Sequence, residues 1–280
     1  MFRRVGFFTA MLVTALTAPT AAEAETAAPS CSAPSALMRL DRAIAHTAAR
    51  LSEGRTLKIV ALGSSSTFGV GASSPANSYP SRLEADLREQ FPDMDITVVN
   101  RGVGGEDAKE MLARLDKSVL AEHPDLVLWQ VGTNAIVDDE GLAQEAALVR
   151  KGFARLKAAG VDVVLMDPQY SPKVIGAPKA GAMVRMLERE AQAANVPVFH
   201  RFAIMSHWRQ VENVPFDRFT VKDGLHMNDW SYGCIAKLLA TAIVATAGQP
   251  TQVAAAGQPA KVVAPVASRT FSMQAMQARL

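Results

Sequence analysis

Short apolar segments alternate along this chain with longer segments in which apolar residues recur every three or four positions. The short segments are rich in valine, isoleucine and leucine, which is typical of strands buried on both faces. The five clearest lie at 58–62, 95–99, 126–131, 161–166 and 196–199. Because the longer segments lie between them, the pattern predicts a parallel sheet with right-handed crossovers and helices on both faces.

The longer segments carry recognisable helix boundaries. We predict helices at 35–53, from Ser78 to Pro92, at 108–119, from about 140 to 159, at 181–194 and over a last apolar segment near 230–245. Gly54 and Gly160 follow two of them, as glycine often follows a helix. Asn228 or Asp229 is expected to cap the last one. The proline in the fifth strand favours a place at the edge of the sheet.

The two ends of the chain have different compositions from the middle. Residues 1–24 contain two arginines, an apolar stretch and small residues before Ala24, which is the pattern of a cleaved signal peptide. Residues 249–280 are rich in alanine, glutamine and proline, which predicts a flexible tail. We therefore expect one folded domain at 25–248, a periplasmic or secreted location, and no stable membrane insertion after signal cleavage.

Charge and cysteine content exclude several classes of partner. The 29 basic residues nearly balance the 27 acidic ones, and no basic cluster with interleaved aromatics occurs, so nucleic acid is not expected to bind. Cys31 and Cys234 have no metal-type spacing. In an exported chain they are predicted to form a disulfide, the alternative being one buried and one exposed free thiol. We expect neither a metal nor an organic cofactor.

Four segments that follow strands, or precede the last helix, carry candidate chemistry. They are Gly63-Ser64-Ser65-Ser66, Asn100 to Glu106, Gly132-Thr133-Asn134 and Asp223-Gly224-Leu225-His226. Loops at the carboxyl ends of parallel strands meet at one edge of a sheet. A serine there becomes a useful nucleophile when a histidine takes its proton and a carboxylate orients that histidine.

Each segment alone has a simpler explanation. Ser65 could be a turn serine or part of a phosphate-binding loop, although the loop has no lysine and Asn134 and His226 would stay unexplained. The glycines at 102–105 do not form a dinucleotide-binding pattern. Asn134 could cap a helix, and His226 could be an ordinary surface histidine. Their joint occurrence in this order favours a hydrolase.

Together the four segments resemble the SGNH hydrolases, also called the GDSL-type esterase and lipase family, over roughly Lys58 to Ala245. The resemblance implies a flavodoxin-like three-layer α/β/α sandwich with a five-stranded parallel sheet. It also implies Ser65 as nucleophile, His226 as general base and Asp223 as its orienter. Oxyanion donors would come from Ser65, Gly105 and Asn134. Ser64 replaces the aspartate that the family usually has before the nucleophile.

The resemblance implies an exported serine esterase that hydrolyses carboxylic esters, including short acyl or acetyl esters on carbohydrate, through an acyl-enzyme. Its partner would be a small-molecule or carbohydrate ester. Two alternatives stay open: an O-acyltransferase on envelope polysaccharide, and a non-catalytic carbohydrate- or envelope-binding protein of the same fold. Gln169 and Tyr170 follow the fourth strand and either line the substrate cleft or are ordinary loop residues.

Overall fold

A computed structural model describes residues 29–139 and 141–248. The chain divides into two units, Met1–Cys31 and Ser32–Leu280, and the fold given below is that of the second. The predicted signal peptide at 1–24 and the predicted tail at 249–280 both lie outside the described residues, so both stay predictions.

Five parallel strands form one sheet in the order β2-β1-β3-β4-β5. This is the flavodoxin-like order, in which the chain reverses direction across the sheet between β1 and β3. The predicted five-stranded α/β fold is therefore confirmed. The strands are β1 Thr56–Gly63, β2 Asp95–Gly102, β3 Leu126–Gln130, β4 Asp162–Met166 and β5 Val198–Phe199.

Helices connect the strands and begin at several of their carboxyl ends. They are α1 Ala45–Glu53, α2 Ser65–Phe68, α3 Tyr79–Gln90, α4 Ala108–Ala113, α5 Leu115–Ser118, α6 Thr133–Val137, α7 Leu142–Ala158, α8 Pro172–Gly176, α9 Ala180–Ala193, α10 Arg201–Gln210 and α11 Asp229–Ala247. The short helices α2 and α6 begin within three residues of the ends of β1 and β3. They therefore fix the conformation of the loops that hold the candidate chemistry.

The sheet is covered on both faces. Alternate residues of β1, β3 and β4 share one apolar core with helices α4, α7 and α9. Gly152 of α7 lies against the ring of Trp129, where a Cβ atom would come within 2.1 Å of the indole. Only glycine lets α7 approach the sheet this closely. Helix α11 contacts both α1 and α3, and these three helices form the other layer.

Helix α11 is the one helix of the described residues that is long and apolar enough to cross a membrane by composition, but 56% of that segment is buried inside the protein. Such burial is typical of a core helix. The Asn228 side chain caps it by accepting from the amide of Ser231, while the backbone amide of Asn228 donates to the Ser231 hydroxyl. The predicted cap is confirmed.

Two predicted elements are shorter than expected. The helix predicted at 35–53 is wrong in extent, since only Ala45–Glu53 is α-helical. The Leu40 amide donates to the Thr246 hydroxyl at 3.1 Å instead of to a helical carbonyl, so a tertiary contact replaces the helical bond. The fifth strand keeps two residues and lies at the edge of the sheet. Pro197 precedes it because proline has no N–H to donate.

Candidate active site

The turn after β1 presents one serine and buries its two neighbours. Ser64 and Ser66 are 2% and 1% exposed, whereas Ser65 is half-buried. The Ser64 amide and hydroxyl both donate to Gln130 Oε1, at 2.9 and 3.1 Å. The backbone of Gly63 lies so close to Thr67 that a Cβ atom on residue 63 would be 2.1 Å from Thr67 Oγ1. This packing directs the strand into α2 and leaves Ser65 facing outward as the first helical residue.

His226 links Ser65 to Asp223. Its Nε2 lies 2.8 Å from Ser65 Oγ, and its Nδ1 lies 2.5 Å from Asp223 Oδ2. Because an ionised carboxylate only accepts, the Nδ1–H donates to Asp223, and Nε2 is left to accept the proton of the Ser65 hydroxyl. The structure therefore brings together the three residues that the sequence nominated as a triad.

The carboxylate of Asp223 also organises its own loop. Its Oδ1 accepts from the amides of Leu225 and His226 at 2.8 and 3.0 Å. Burial alone would raise the pKa of Asp223, but the hydrogen bonds from the His226 ring and from these two amides outweigh burial and hold that pKa below its ordinary value. Asp223 thus stays ionised at neutral pH and fixes the orientation of the imidazole.

Candidate oxyanion donors lie beside this pair of side chains. Gly105 has a φ of 83° and open space where a side chain would be, and a Cβ atom on Gly104 would come within 3.9 Å of Ser65 Cβ. Asn134, half-buried in α6, donates from Nδ2 to the Glu106 carbonyl at 2.8 Å. An amide nitrogen has two protons, so this bond fixes the side chain and leaves one N–H for a ligand. The Ser65 amide begins α2 and has no acceptor within that helix.

Two side chains to which the sequence assigned no role, Arg114 and Asn100, hold the glycine loop in place. Arg114 of α4–α5 forms an ion pair with Glu106, with Nη2 to Oε2 at 2.6 Å, and donates to the Arg101 carbonyl at 2.9 Å. Asn100 donates to the Thr67 carbonyl at 2.8 Å and thereby ties β2 to α2. Nothing in the spacing of Arg114 indicates this contact, because helix packing alone brings it to the loop.

Gln130, the last residue of β3, supports the turn that follows β1. It is buried, and its Oε1 accepts from Ser64 and also from Thr67 Oγ1 at 3.1 Å. These contacts hold the turn at Ser64, the position where the resemblance would place an aspartate. A polar residue at the end of an otherwise apolar strand was the available signal for it.

The structure places Gln169 and Tyr170 in the protein interior. Gln169 is 1% exposed and contacts Thr133, Arg201 and Leu225. Tyr170 is 9% exposed, accepts from Gln210 at 2.9 Å and packs edge-on against Phe202. Their burial favours the ordinary-loop alternative over direct contact with substrate.

Other ionisable clusters lie apart from this site. Within residues 29–139 and 141–248, no group of three or more histidine, cysteine, aspartate or glutamate side chains is arranged to hold a metal ion. His46 bonds Asp125 at 2.8 Å, and His207 lies 3.3 Å from Glu212. Cys31 and Cys234 are both disulfide-bonded, so neither is a free thiol.

Comparison with known proteins gives the chain a family. No curated protein matches it. Among solved structures, a two-domain esterase active on acetylated mannans has a TM-score of 0.65 at 21% identity, over 81% of this chain and 60% of that one. The chain thus spans 60% of that esterase's length. A lipase/acylhydrolase from Enterococcus faecalis has a TM-score of 0.53 at 23% identity, over 66% of this chain and 93% of that one.

A variant of an acetyl xylan esterase from Geobacillus stearothermophilus has a TM-score of 0.54 at 20% identity, over 69% of this chain and 94% of that one. These likenesses establish a shared fold. The profile of the non-GDSL lipase-like family matches residues 30–249. The family's description agrees with Gly63-Ser64-Ser65-Ser66, which lacks the Gly-Asp-Ser-Leu sequence. The chain belongs to the non-GDSL lipase-like family.

Proposed function

We propose that this protein is a serine-dependent carboxylic ester hydrolase that works through an acyl-enzyme. The observation that carries the proposal is the pair of contacts made by His226, 2.8 Å to Ser65 Oγ and 2.5 Å to Asp223 Oδ2. A histidine held between a carboxylate and an outward-facing serine is the arrangement that activates a weak hydroxyl nucleophile. Membership of a lipase-like family supports the same reaction.

In the proposed reaction, Ser65 Oγ forms a bond to the ester carbonyl carbon while its proton passes to His226 Nε2. The resulting imidazolium is stabilised by ionised Asp223. His226 then gives the proton to the leaving alcohol oxygen as the ester C–O bond breaks, which leaves the acyl group on Ser65. Water then attacks the acyl carbon while losing a proton to His226. The bond between that carbon and Ser65 Oγ breaks as His226 gives the proton to Oγ, which releases the carboxylic acid and restores Ser65.

The negative oxygen that forms in each half-reaction needs fixed donors. We assign them to the amides of Ser65 and Gly105 and to the second N–H of Asn134. The support is that Asn134 is already oriented by the Glu106 carbonyl and that no side chain on Gly105 obstructs the approach. Each such donor contributes about 3 kcal/mol to transition-state stabilisation.

For the substrate we propose short acyl esters, acetyl groups on carbohydrate in particular. The support is indirect: one similar structure is an esterase active on acetylated mannans, and another is an acetyl xylan esterase. Export to the periplasm or the medium, where such polysaccharides are met, rests on the signal-like composition of residues 1–24.

Active-site titration with a fluorophosphonate tests the proposal. The expected result is one label per chain, mapped by mass spectrometry to Ser65, with loss of p-nitrophenyl acetate hydrolysis in proportion to labelling. A binding protein without catalysis would leave Ser65 unlabelled, and this outcome would contradict the proposal.

A series of p-nitrophenyl esters of increasing chain length addresses the acyl group. The expected kcat/KM falls from acetate to longer acyl chains, and a maximum at long chains would contradict the assignment of short acyl esters.

Adding a sugar acceptor separates hydrolysis from transfer, because an acyltransferase would form acylated sugar in preference to free acid.

A further inference from the structure

A buried arginine lies directly behind the candidate active site. Arg201, the first residue of α10, is 0% exposed, and its three nitrogens donate to three different oxygens. Nε donates to the Asp167 carbonyl, Nη1 to Ser66 Oγ and Nη2 to Gln169 Oε1, each at 3.0 Å. All three acceptors are neutral. A guanidinium is costly to bury, so a site that keeps one with this geometry uses its rigid fork of donors.

Gln169 extends these contacts to two more loops. Its Oε1 also accepts from Thr133 Oγ1 at 3.0 Å, and its Nε2 donates to the Leu225 carbonyl at 3.2 Å. The orientation of the amide is fixed, because Arg201 can only donate and the Leu225 carbonyl can only accept. Gln169 is itself 1% exposed, so these contacts are shielded from water.

The partners of this pair share one property. Ser66 follows Ser65, Thr133 precedes Asn134, and Leu225 precedes His226. One arginine and one glutamine therefore bond the chain immediately beside the candidate nucleophile, the candidate oxyanion amide and the candidate base. These three loops come from distant parts of the sequence, and a shift of about 1 Å among them would slow catalysis strongly.

We propose that Arg201 and Gln169 are positioning residues that hold the loops of Ser65, Asn134 and His226 in their reactive arrangement. The expected change in kcat rests on the proposed hydrolase function. The expected change in the arrangement of the three loops does not. Neither side chain touches the reacting atoms. Their effect passes through the three neighbouring residues.

Gln169→Glu is the sharpest variant. It keeps an oxygen for Arg201 and for Thr133, and its charge pairs with the guanidinium, so the fold is expected to survive. It removes only the donor to the Leu225 carbonyl, leaving two acceptors face to face beside His226. Arg201→Lys is the second variant, because one ammonium cannot reproduce the three-way fork.

The matched control is Thr47→Val. Thr47 is also 0% exposed, and its hydroxyl donates to Asp162 Oδ2 at 2.9 Å, but it lies on α1 and contacts none of the three loops. Each variant is compared with the parent for thermal stability, for kcat and KM on p-nitrophenyl acetate, and for the downfield proton NMR resonance of the His226 Nδ1–H shared with Asp223.

For Gln169→Glu and Arg201→Lys we expect kcat to fall by about tenfold to a hundredfold with KM changed less than about threefold, together with a shifted or broadened resonance. Thr47→Val should lose stability and keep both the kcat and the resonance of the parent. The proposal is overturned if folded Gln169→Glu keeps the parent resonance and loses no more kcat than Thr47→Val.

The resonance also separates this proposal from the proposed function. If hydrolysis by the parent does not depend on Ser65, the hydrolase function fails. A resonance that still moves in Gln169→Glu and not in Thr47→Val would then support positioning, and an unmoved one would refute it.

Discussion

The amino and carboxyl ends of the central strands each carry a histidine–aspartate pair, and the pair at the carboxyl ends also contacts a serine. At the amino edge, Asp125 accepts from His46, from Arg50 Nε at 2.9 Å and from the Lys58 amide at 2.8 Å. At the carboxyl edge, His226 spends one nitrogen on Asp223 and the other on Ser65. A histidine–aspartate contact therefore does not by itself indicate a catalytic site. A hydroxyl group bonded to the other ring nitrogen is also needed.

The two carboxylates also serve different partners. Burial raises the pKa of Asp125, but the Lys58 amide, His46 and Arg50 outweigh burial and lower it overall. Its bonds connect α1 to the amino-terminal ends of β1 and β3. Asp223 bonds only within its own loop, which orients one imidazole and leaves that loop free to be positioned by Gln169. The bonds of Asp125 connect different elements of the fold, whereas the bonds of Asp223 stay within one loop.

The largest expected contrast is between the two histidines. His226→Ala should lower the kcat for p-nitrophenyl acetate by roughly 10⁴-fold or more, because Ser65 loses its base. His46→Ala should leave kcat within about twofold and lower stability only modestly. Steady-state kinetics and thermal unfolding of both variants provide the check. Similar kcat losses in the two would show that the comparison of the edges is mistaken.

Asn134→Ala should have the next largest effect. Loss of one oxyanion donor typically costs about 10²–10³ in kcat with little change in KM. Asn134→Asp is the matched variant: it keeps the size of the side chain but places an acceptor against the Glu106 carbonyl and the developing oxyanion, so its kcat should be no higher. A wild-type kcat in folded Asn134→Ala would remove Asn134 from the oxyanion site.

The contributions of Asp167 and Asp125 to stability should change with pH in opposite directions. Burial raises the pKa of Asp167, behind the active site, to about 6, against the opposing effects of His200 and Arg201 and with a further increase from Glu188. The folded protein therefore keeps a proton that the unfolded chain releases from about pH 4 to about pH 6, and stability is lost as pH rises through that window. Asp125, with a lowered pKa, instead loses its contribution as pH falls.

Asp167→Asn should accordingly gain about 3 kcal/mol relative to the parent between pH 4 and pH 6. Asp125→Asn should approach the parent's stability as the pH is lowered. Urea unfolding across this range measures both. If the difference in unfolding free energy between parent and variant does not change with pH, the direction of the pKa shift assigned to that residue is wrong.

The sequence predicted the strands, their parallel pairing and the loops at their carboxyl ends, because these depend on local periodicity and on where parallel strands end. Ser65, Asp223, His226 and Asn134 were nominated by the resemblance of their four segments to the SGNH hydrolases. Arg201 and Arg114 could not be nominated, because the contact of Arg201 joins distant parts of the chain and that of Arg114 depends on how the loop before its helix folds back. For Gln169 the sequence left substrate contact and an ordinary loop role open, and its burial behind the site favours the second.

The extent of the first helix failed for a related reason. Helical spacing of leucines continues back to Leu37, but Leu40 bonds Thr246 more than two hundred residues away. Local periodicity carries no information about such a partner. The edge strand β5 was correctly placed, since Pro197 is a local and unambiguous signal.

The measurement that tests the central claim most directly is the turnover of p-nitrophenyl acetate by Ser64→Ala, Ser65→Ala and Ser66→Ala, with circular dichroism to establish folding. Ser65→Ala should lose at least roughly 10⁴-fold in kcat, because the attacking oxygen is gone. Ser64→Ala and Ser66→Ala should stay within about tenfold of the parent, since each loses one supporting hydrogen bond. A folded Ser65→Ala with turnover near that of the parent would contradict both the nucleophile and the mechanism built on it.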